Sequence, residues 1–140
     1  RGIYQICGTH PVYGHNVLLY LGKTCAQTFA KRMNRSFWEN WEYEEGNLHI
    51  HIGRLAGNET PASEIWRRQI TLAEALLITA HKPALNASGV GYLSEHADRA
   101  VYDVHVLNWG DRGQMLPEVS GARWSFKYAD MPAYDFYGKH

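Results

Sequence analysis

Gly2-Ile3-Tyr4-Gln5-Ile6-Cys7-Gly8 and, after a break, Val17-Leu18-Leu19-Tyr20-Leu21-Gly22 are the segments whose reading decides the fold. The first alternates β-branched or aromatic residues with other types and stops at Gly8, the pattern of a strand that ends in a turn. His10-Pro11-Val12-Tyr13-Gly14 continues the turn. The apolar run Val17–Leu21, flanked by Asn16 and Gly22, predicts a second strand that pairs antiparallel with the first. Its connection is expected to be longer than a tight turn. Strands joined this closely leave no room for a helical crossover, so the chain is expected in the α+β class.

Beyond the hairpin, Thr24 is expected to cap one helix that carries Phe29, Met33 and Phe37 four residues apart, and no Gly or Pro interrupts Lys23 to Tyr43. Asn47 to Gly53 alternates strictly, placing Leu48, Ile50 and Ile52 on one face of a third strand and His49 and His51 on the other. Gly57, Asn58 and Pro61 mark a loop. Ala62 to Ile70 predicts a helix capped by Ser63, and Thr71-Leu72-Ala73-Glu74 has the form of a capping box that opens another, running to about His81 and stopped by Pro83. Ala87 to Asp98 reads as a mobile loop or linker. Val101 to Leu107 predicts a strand, Asn108 to Gly113 a turn, and Trp124 to Tyr128 the returning strand. The expected architecture is a small central antiparallel β-sheet flanked by helices with a C-terminal β-hairpin extension. Residues 1–86 would form the core and residues 87–140 an extension packed on the same domain.

With 140 residues, 45% hydrophobic and 20% charged, the chain has the polarity of one globular domain. Fourteen basic and fourteen acidic residues cancel, so attraction of the whole molecule to nucleic acid or an acidic membrane is not expected. A polyanion must be held by a local patch. Lys23, Lys31, Arg32 and Arg35 supply one, with no acidic residue among them, and Glu39, Glu42, Glu44 and Glu45 then reverse the sign and restrict where a polyanion could lie. No run approaches the ~20 apolar residues of a membrane helix, and the N-terminus lacks a signal-peptide plan. Cys7 and Cys25 are too few for a disulfide scaffold and not spaced as a CxxC site. A soluble cytoplasmic protein with buried thiols is expected. Arg1 in place of Met is expected of a trimmed or processed piece.

Taken in order, these residues resemble the GIY-YIG endonucleases. Gly2-Ile3-Tyr4 reproduces the first signature tripeptide, Tyr20-Leu21-Gly22 the second with Leu for Ile, and Lys23-Thr24 follows as is common in the family. Arg32 matches the family's helix arginine, Glu74 its single acidic residue, and Asn86, twelve positions later, its closing asparagine. The resemblance covers about residues 2–86. It implies a divalent-metal-dependent nuclease that hydrolyses DNA phosphodiester bonds to 5′-phosphate and 3′-hydroxyl ends, of restriction or mobile-element type. Tyr4, Tyr20, Arg32 and Glu74 would be catalytic, Lys23 and Asn86 supporting, and Lys31 and Arg35 substrate-binding.

The chemistry of the residues agrees with those roles. Phosphodiester hydrolysis needs a nucleophilic water, charge neutralisation at phosphorus and a stabilised leaving oxygen. Tyr4 and Tyr20 on neighbouring strands could point from one face at a single phosphate, with the first tyrosine as the family's general base. A phenol of pKa ~10 needs a nearby cation for that task. Arg32 offers a bidentate fork for phosphate oxygens. Glu74 would be the metal ligand, taking Mg²⁺ or Mn²⁺ through one carboxylate plus the substrate phosphate. Asn86 would fix Glu74 or a nearby backbone segment. DNA is the expected partner, with RNA left open, and a homodimer or a further DNA-binding segment would be needed for a double-strand break.

Plain structural uses stand beside these roles. Glu74 closes a capping box, the two tyrosines could fill a sheet face, Arg32 could be a surface arginine and Asn86 a turn residue. One position departs from the family, which often carries His or Tyr one helical turn after the arginine; here it is Ser36. His10, His15, His49 and His51 are candidates to replace it. Two rival classes follow: a catalytically inactive nucleic-acid-binding or scaffold domain of the same fold, and a small zinc protein using His49 and His51.

Overall fold

The computed structural model describes residues 1–39, 41, 48–56, 61–91, 93 and 98–125. Its centre is a three-stranded antiparallel sheet in the order β2-β1-β3, built from β1 (Gly2–His10), β2 (Gly14–Thr24) and β3 (His49–Gly53). The protein is thus α+β, as the close spacing of the first two strands requires.

The hairpin is longer and its turn tighter than expected, since pairing continues to His10↔Gly14 and leaves only Pro11, Val12 and Tyr13 outside. His10 closes the turn. Its Nδ1 accepts from the backbone N–H of Val12 and Tyr13 at 3.1 and 3.3 Å, and its ring stacks on Tyr13 at 4.6 Å. Gly14, at φ +88°, takes a backbone conformation that side chains disfavour. A bulge between Ile6 and Cys7 pairs Ile6 with Tyr20 and Cys7 with Leu18, so Leu19 is the extra residue.

The single helix expected after Thr24 is two short ones, α1 (Phe29–Arg32) and α2 (Arg35–Glu39). Thr24 lies in β2, where its hydroxyl donates to the Gln27 carbonyl at 2.7 Å. Thr28 caps α1 by accepting from Lys31 N–H, and Asn34 Oδ1 accepts from Phe37 N–H at 3.1 Å. Two side chains that compete for backbone donors split the apolar stripe. The later part of that stretch, at Asn40 and 42–43, lies outside the described residues, as do Glu42, Glu44, Glu45, Asn47 and the loop positions Gly57 and Asn58.

Conversely, the two helices expected over 62–81 are one, α3 (Ser63–His81). Ala62, not Ser63, is the N-cap, without a side-chain bond. Thr71 and Glu74 lie inside the helix, so no capping box forms. Ile70, Leu72, Ala73, Leu76, Leu77 and Ile78 are buried, and continuous burial of this face outweighs a local cap signal. Lys82 ends α3 in the left-handed region at φ 47°, directly before Pro83.

The C-terminal strands also differ from expectation. Residues Arg99–Asp103 form a 3-10 turn capped by Asp98, which accepts from Ala100 N–H, and the strand that follows is β4 (His105–Leu107) alone. It pairs antiparallel with β5 (Glu118–Ser120), not with Trp124–Tyr128. Trp124 belongs to another 3-10 turn, and 126–128 lie outside the described residues. A three-residue strand with one buried side chain, Val119, is too short to show alternation. In the stretch read as a mobile linker, Gly89 O accepts from Thr79, Val90 O accepts from Lys82, and Leu93 is buried.

One core joins these parts: Cys7, Leu18 and Leu21 of the sheet, Leu72, Leu76, Leu77 and Ile78 of α3, and Leu93, Val101, Met115 and Val119. Burial pushes the Cys7 thiol up in pKa. No helix among the described residues is long and apolar enough to cross a membrane.

His81 fastens α3 to the C-terminal segment. Its Nε2 accepts from Leu116 N–H at 2.9 Å, so its Nδ1 carries the proton and donates to Leu77 O at 2.8 Å. That pattern requires the neutral ring, and burial lowers its pKa from the ordinary 6.5. The unfolded chain therefore binds the proton first. The contribution of His81 is complete above pH ~6.5 and is lost as pH falls through the depressed value. In urea unfolding, the stability advantage of the wild type over His81→Phe is expected to be full at pH 7.5 and to shrink steadily below pH 6.5.

Candidate functional site

Side chains alternate along β1, so Ile3, Gln5 and Cys7 face α3 while Tyr4 and Ile6 face the other way. Tyr4 is opposite Gly22 and Ile6 opposite Tyr20, which puts both tyrosines on the same face, with ring centroids 6.1 Å apart. Gly22 makes this packing possible. A Cβ there would lie 2.7 Å from Tyr4 Oη and 2.8 Å from Tyr20 Cε1. Phe29 of α1 and Phe37 of α2 stand edge-on to the Tyr4 ring at 6.5 and 5.9 Å, and Trp41 stands edge-on to Tyr20 at 5.9 Å. The apolar stripe of the expected helix thus walls the tyrosine pair. Tyr4 is 1% exposed, whereas Tyr20 is half-buried.

Arg32 closes the group from α1. Its Nε donates to Tyr4 Oη at 3.4 Å, and its guanidinium lies 5.8 Å from the centre of the Phe37 ring. Hydrogen bonding to Tyr4, more than any other influence, raises the pKa of Arg32 above its ordinary value, with a smaller contribution from Tyr20. Tyr20 is pushed up chiefly by burial and then by Tyr4, partly offset by Arg32. Short-range polar interaction with Tyr4 is the smallest of the influences that raise it. Arg32 Nε–H is thus the donor on the oxygen of Tyr4, and the tilted Tyr20 ring lies beside it.

Glu74 lies on α3, yet its charge reaches Tyr20 and helps keep that phenol protonated. Its Oε2 is 2.6 Å from Lys23 Nζ, with side-chain exposures of 18% and 32%. Freed from any capping duty, the carboxylate is the ion-pair partner of Lys23, which is opposite Ile3 and so approaches from the α3 side of the sheet. A single hard-oxygen donor suits a cation that keeps most of its waters and takes the rest of its ligands from a phosphate. Among the described residues no group of three or more His, Cys, Asp or Glu could hold a metal by protein ligands alone.

Asn86 takes the backbone alternative expected for it. Its Oδ1 accepts from Leu21 N–H and its Nδ2 donates to Leu21 O, both at 2.9 Å. Ala84 and Leu85 N–H extend this grip to Leu18 and Leu19 O. The chain after Pro83 thereby occupies the open edge of β2 and fixes the strand that carries Tyr20, Gly22 and Lys23.

Other expectations separate from this group. Lys31 is exposed at the end of α1, and Arg35 begins α2, its side chain outside the description. His10 and His15 serve the hairpin turn, His15 by bonding Thr9 at 3.0 Å, and lie some six residues, roughly 20 Å, along the hairpin from Tyr4. His51 pairs with Asp111 at 3.3 Å on the far face of the sheet. Gln5, which the sequence reading did not single out, is buried there, accepting from Gln114 N–H and donating to Arg112 O. A glutamine between β-formers carries no such signal, since its partners are more than 100 residues away.

Comparisons with protein-family models, with curated proteins and with solved structures yield no match.

Two substitutions test this geometry. Gly22→Ala forces the tyrosines apart and is expected to lower stability by about 1–3 kcal/mol through overpacking. Asn86→Asp sets a carboxylate against Leu21 O and is expected to cost at least as much as Asn86→Ala, about 1–3 kcal/mol. Urea midpoints measure both.

Proposed function

We propose that the chain is a divalent-metal-dependent endonuclease of the GIY-YIG type that hydrolyses DNA to 5′-phosphate and 3′-hydroxyl ends. The observation that carries this reading is the convergence of Tyr4, Tyr20 and Arg32, with Glu74 close enough to act on Tyr20. Asn86 holds the backbone of Leu21, the neighbour of Tyr20 in β2. An aromatic filling of the sheet face would explain the tyrosines, and the need of a buried phenol for a hydrogen-bond partner would explain Arg32, but neither uses the outer side of the guanidinium, which stays exposed.

In this proposal Arg32, exposed on its outer side, binds the non-bridging oxygens of the scissile phosphate and carries the charge that develops on them. Tyr4 is the terminal proton acceptor. Because it is buried, the water's proton reaches it by relay through the hydroxyl of the half-buried Tyr20, with Arg32 as the cation at the Tyr4 oxygen. The hydroxide equivalent attacks phosphorus, and the bond to the 3′ oxygen breaks. A Mg²⁺ or Mn²⁺ ion held by Glu74 would supply charge stabilisation at that leaving oxygen. Lys31 and Arg35 follow the flanking phosphates. With zero net charge, affinity depends on this local patch and falls steeply with salt.

The rival reading, a scaffold that binds without cutting, rests on Ser36 in place of a family His or Tyr. The relay through Tyr20 supplies the acid–base path without that residue.

Supercoiled plasmid is the test substrate. Nicking is expected only with Mg²⁺ or Mn²⁺, and Glu74→Ala and Arg32→Lys each should lower its rate on the order of 100-fold or more. Tyr20→Phe should be as damaging as Tyr4→Phe, because either breaks the relay. Binding without nicking by the wild type at low salt would favour the scaffold.

A further inference from the structure

Lys23 stands in an odd relation to the carboxylate that the proposed reaction needs. Its ammonium sits 2.6 Å from Glu74 Oε2, so the negative charge that would draw in a divalent cation is already matched. Lys23 and a divalent ion cannot share that oxygen without strong repulsion between the two cations. The pair is only partly buried, and Lys23 is a point charge on a flexible four-carbon stem, able to leave without unfolding anything. The strand that holds its backbone is fixed on either side of Lys23, at Leu21 by Asn86 and at Thr24 by the Gln27 carbonyl. Only the side chain is left to move. Lys23 follows Gly22, the residue that packs on both tyrosines, so its stem starts one residue from the tyrosine pair on the edge strand and can swing round that edge to a phosphate bound there.

We infer that Lys23 is a latch on Glu74: it holds the carboxylate until a substrate phosphate arrives, then transfers to the phosphate, so that cation binding and nucleic-acid binding depend on one another. This rests on the metal-dependent nuclease reading. Without a phosphate, a cation at Glu74 strands the Lys23 ammonium beside it. With one, the phosphate offers Lys23 a new counter-charge and the cation a further ligand. By linkage each ligand strengthens the other by the same factor. The expected consequence is a protein that takes up free metal poorly and does so readily only with its substrate.

The test is Mn²⁺ binding to the full chain, followed by electron paramagnetic resonance without nucleic acid. Lys23→Gln is expected to bind Mn²⁺ roughly 10-fold more tightly than the wild type, in the range of ordinary coupling energies. Lys23→Arg, which keeps the charge and adds a second donor, should bind no more tightly than the wild type, and thermal unfolding reports whether each variant is folded. In a second arm, Ca²⁺ should tighten binding of a labelled DNA duplex by the wild type and do so less for Lys23→Gln. Equal Mn²⁺ affinities for wild type and Lys23→Gln, with Glu74→Gln abolishing binding, would overturn the latch and leave Glu74 a metal ligand. Binding that Glu74→Gln does not alter would overturn the metal reading itself, and the latch with it.

Discussion

The central strand must satisfy two unlike faces at once, and most of the structure follows from that constraint. β1 lies between β2 and β3, so each of its side chains is committed to one side or the other. Cys7 joins the core against α3 and Ile3 packs on its margin, while Gln5, the polar member of that face, is buried only because Arg112 O and Gln114 N–H complete its hydrogen bonds. On the opposite face Tyr4 needs a flat neighbour, which Gly22 provides, and a hydrogen-bond partner for its hydroxyl, which Arg32 provides. The C-terminal loop and the tyrosine site are thus held by adjacent residues of one strand.

Charge is distributed with similar economy. The chain is neutral overall, and the charged groups at the site are matched locally: Lys23 with Glu74, and Arg32 with the phenol oxygen of Tyr4. Such an arrangement keeps partly buried charges tolerable in the absence of ligands. In the proposed reaction an anionic ligand would act by rearranging existing partners rather than by filling an uncompensated positive pocket. Arg32 keeps its outer side exposed.

Local order was legible in the sequence wherever a short-range rule had no competitor. The alternation of Gly2 to Cys7, the strict period of Leu48 to Gly53 and the stop at Pro83 each express backbone preference on a single element. The readings that failed were those in which a local signal met a stronger distant one. Thr71 and Glu74 form a capping pattern, but the buried run from Ile70 to Ile78 carries the helix straight through it. Phe29, Met33 and Phe37 have helical spacing, but Thr28 and Asn34 each start a helix of their own.

The sequence by itself determined the α+β class, the hairpin and which residue types could serve a phosphate, because these depend on neighbours in the chain and on intrinsic chemistry. Only the tertiary structure decided what those residues do to one another. It directed Asn86 to the backbone of Leu21 rather than to Glu74, buried Tyr4 while leaving Tyr20 nearer the surface, and set Lys23 on the carboxylate. Each of these is a contact between groups far apart in sequence, made through packing of whole elements, and no spacing within a segment encodes it.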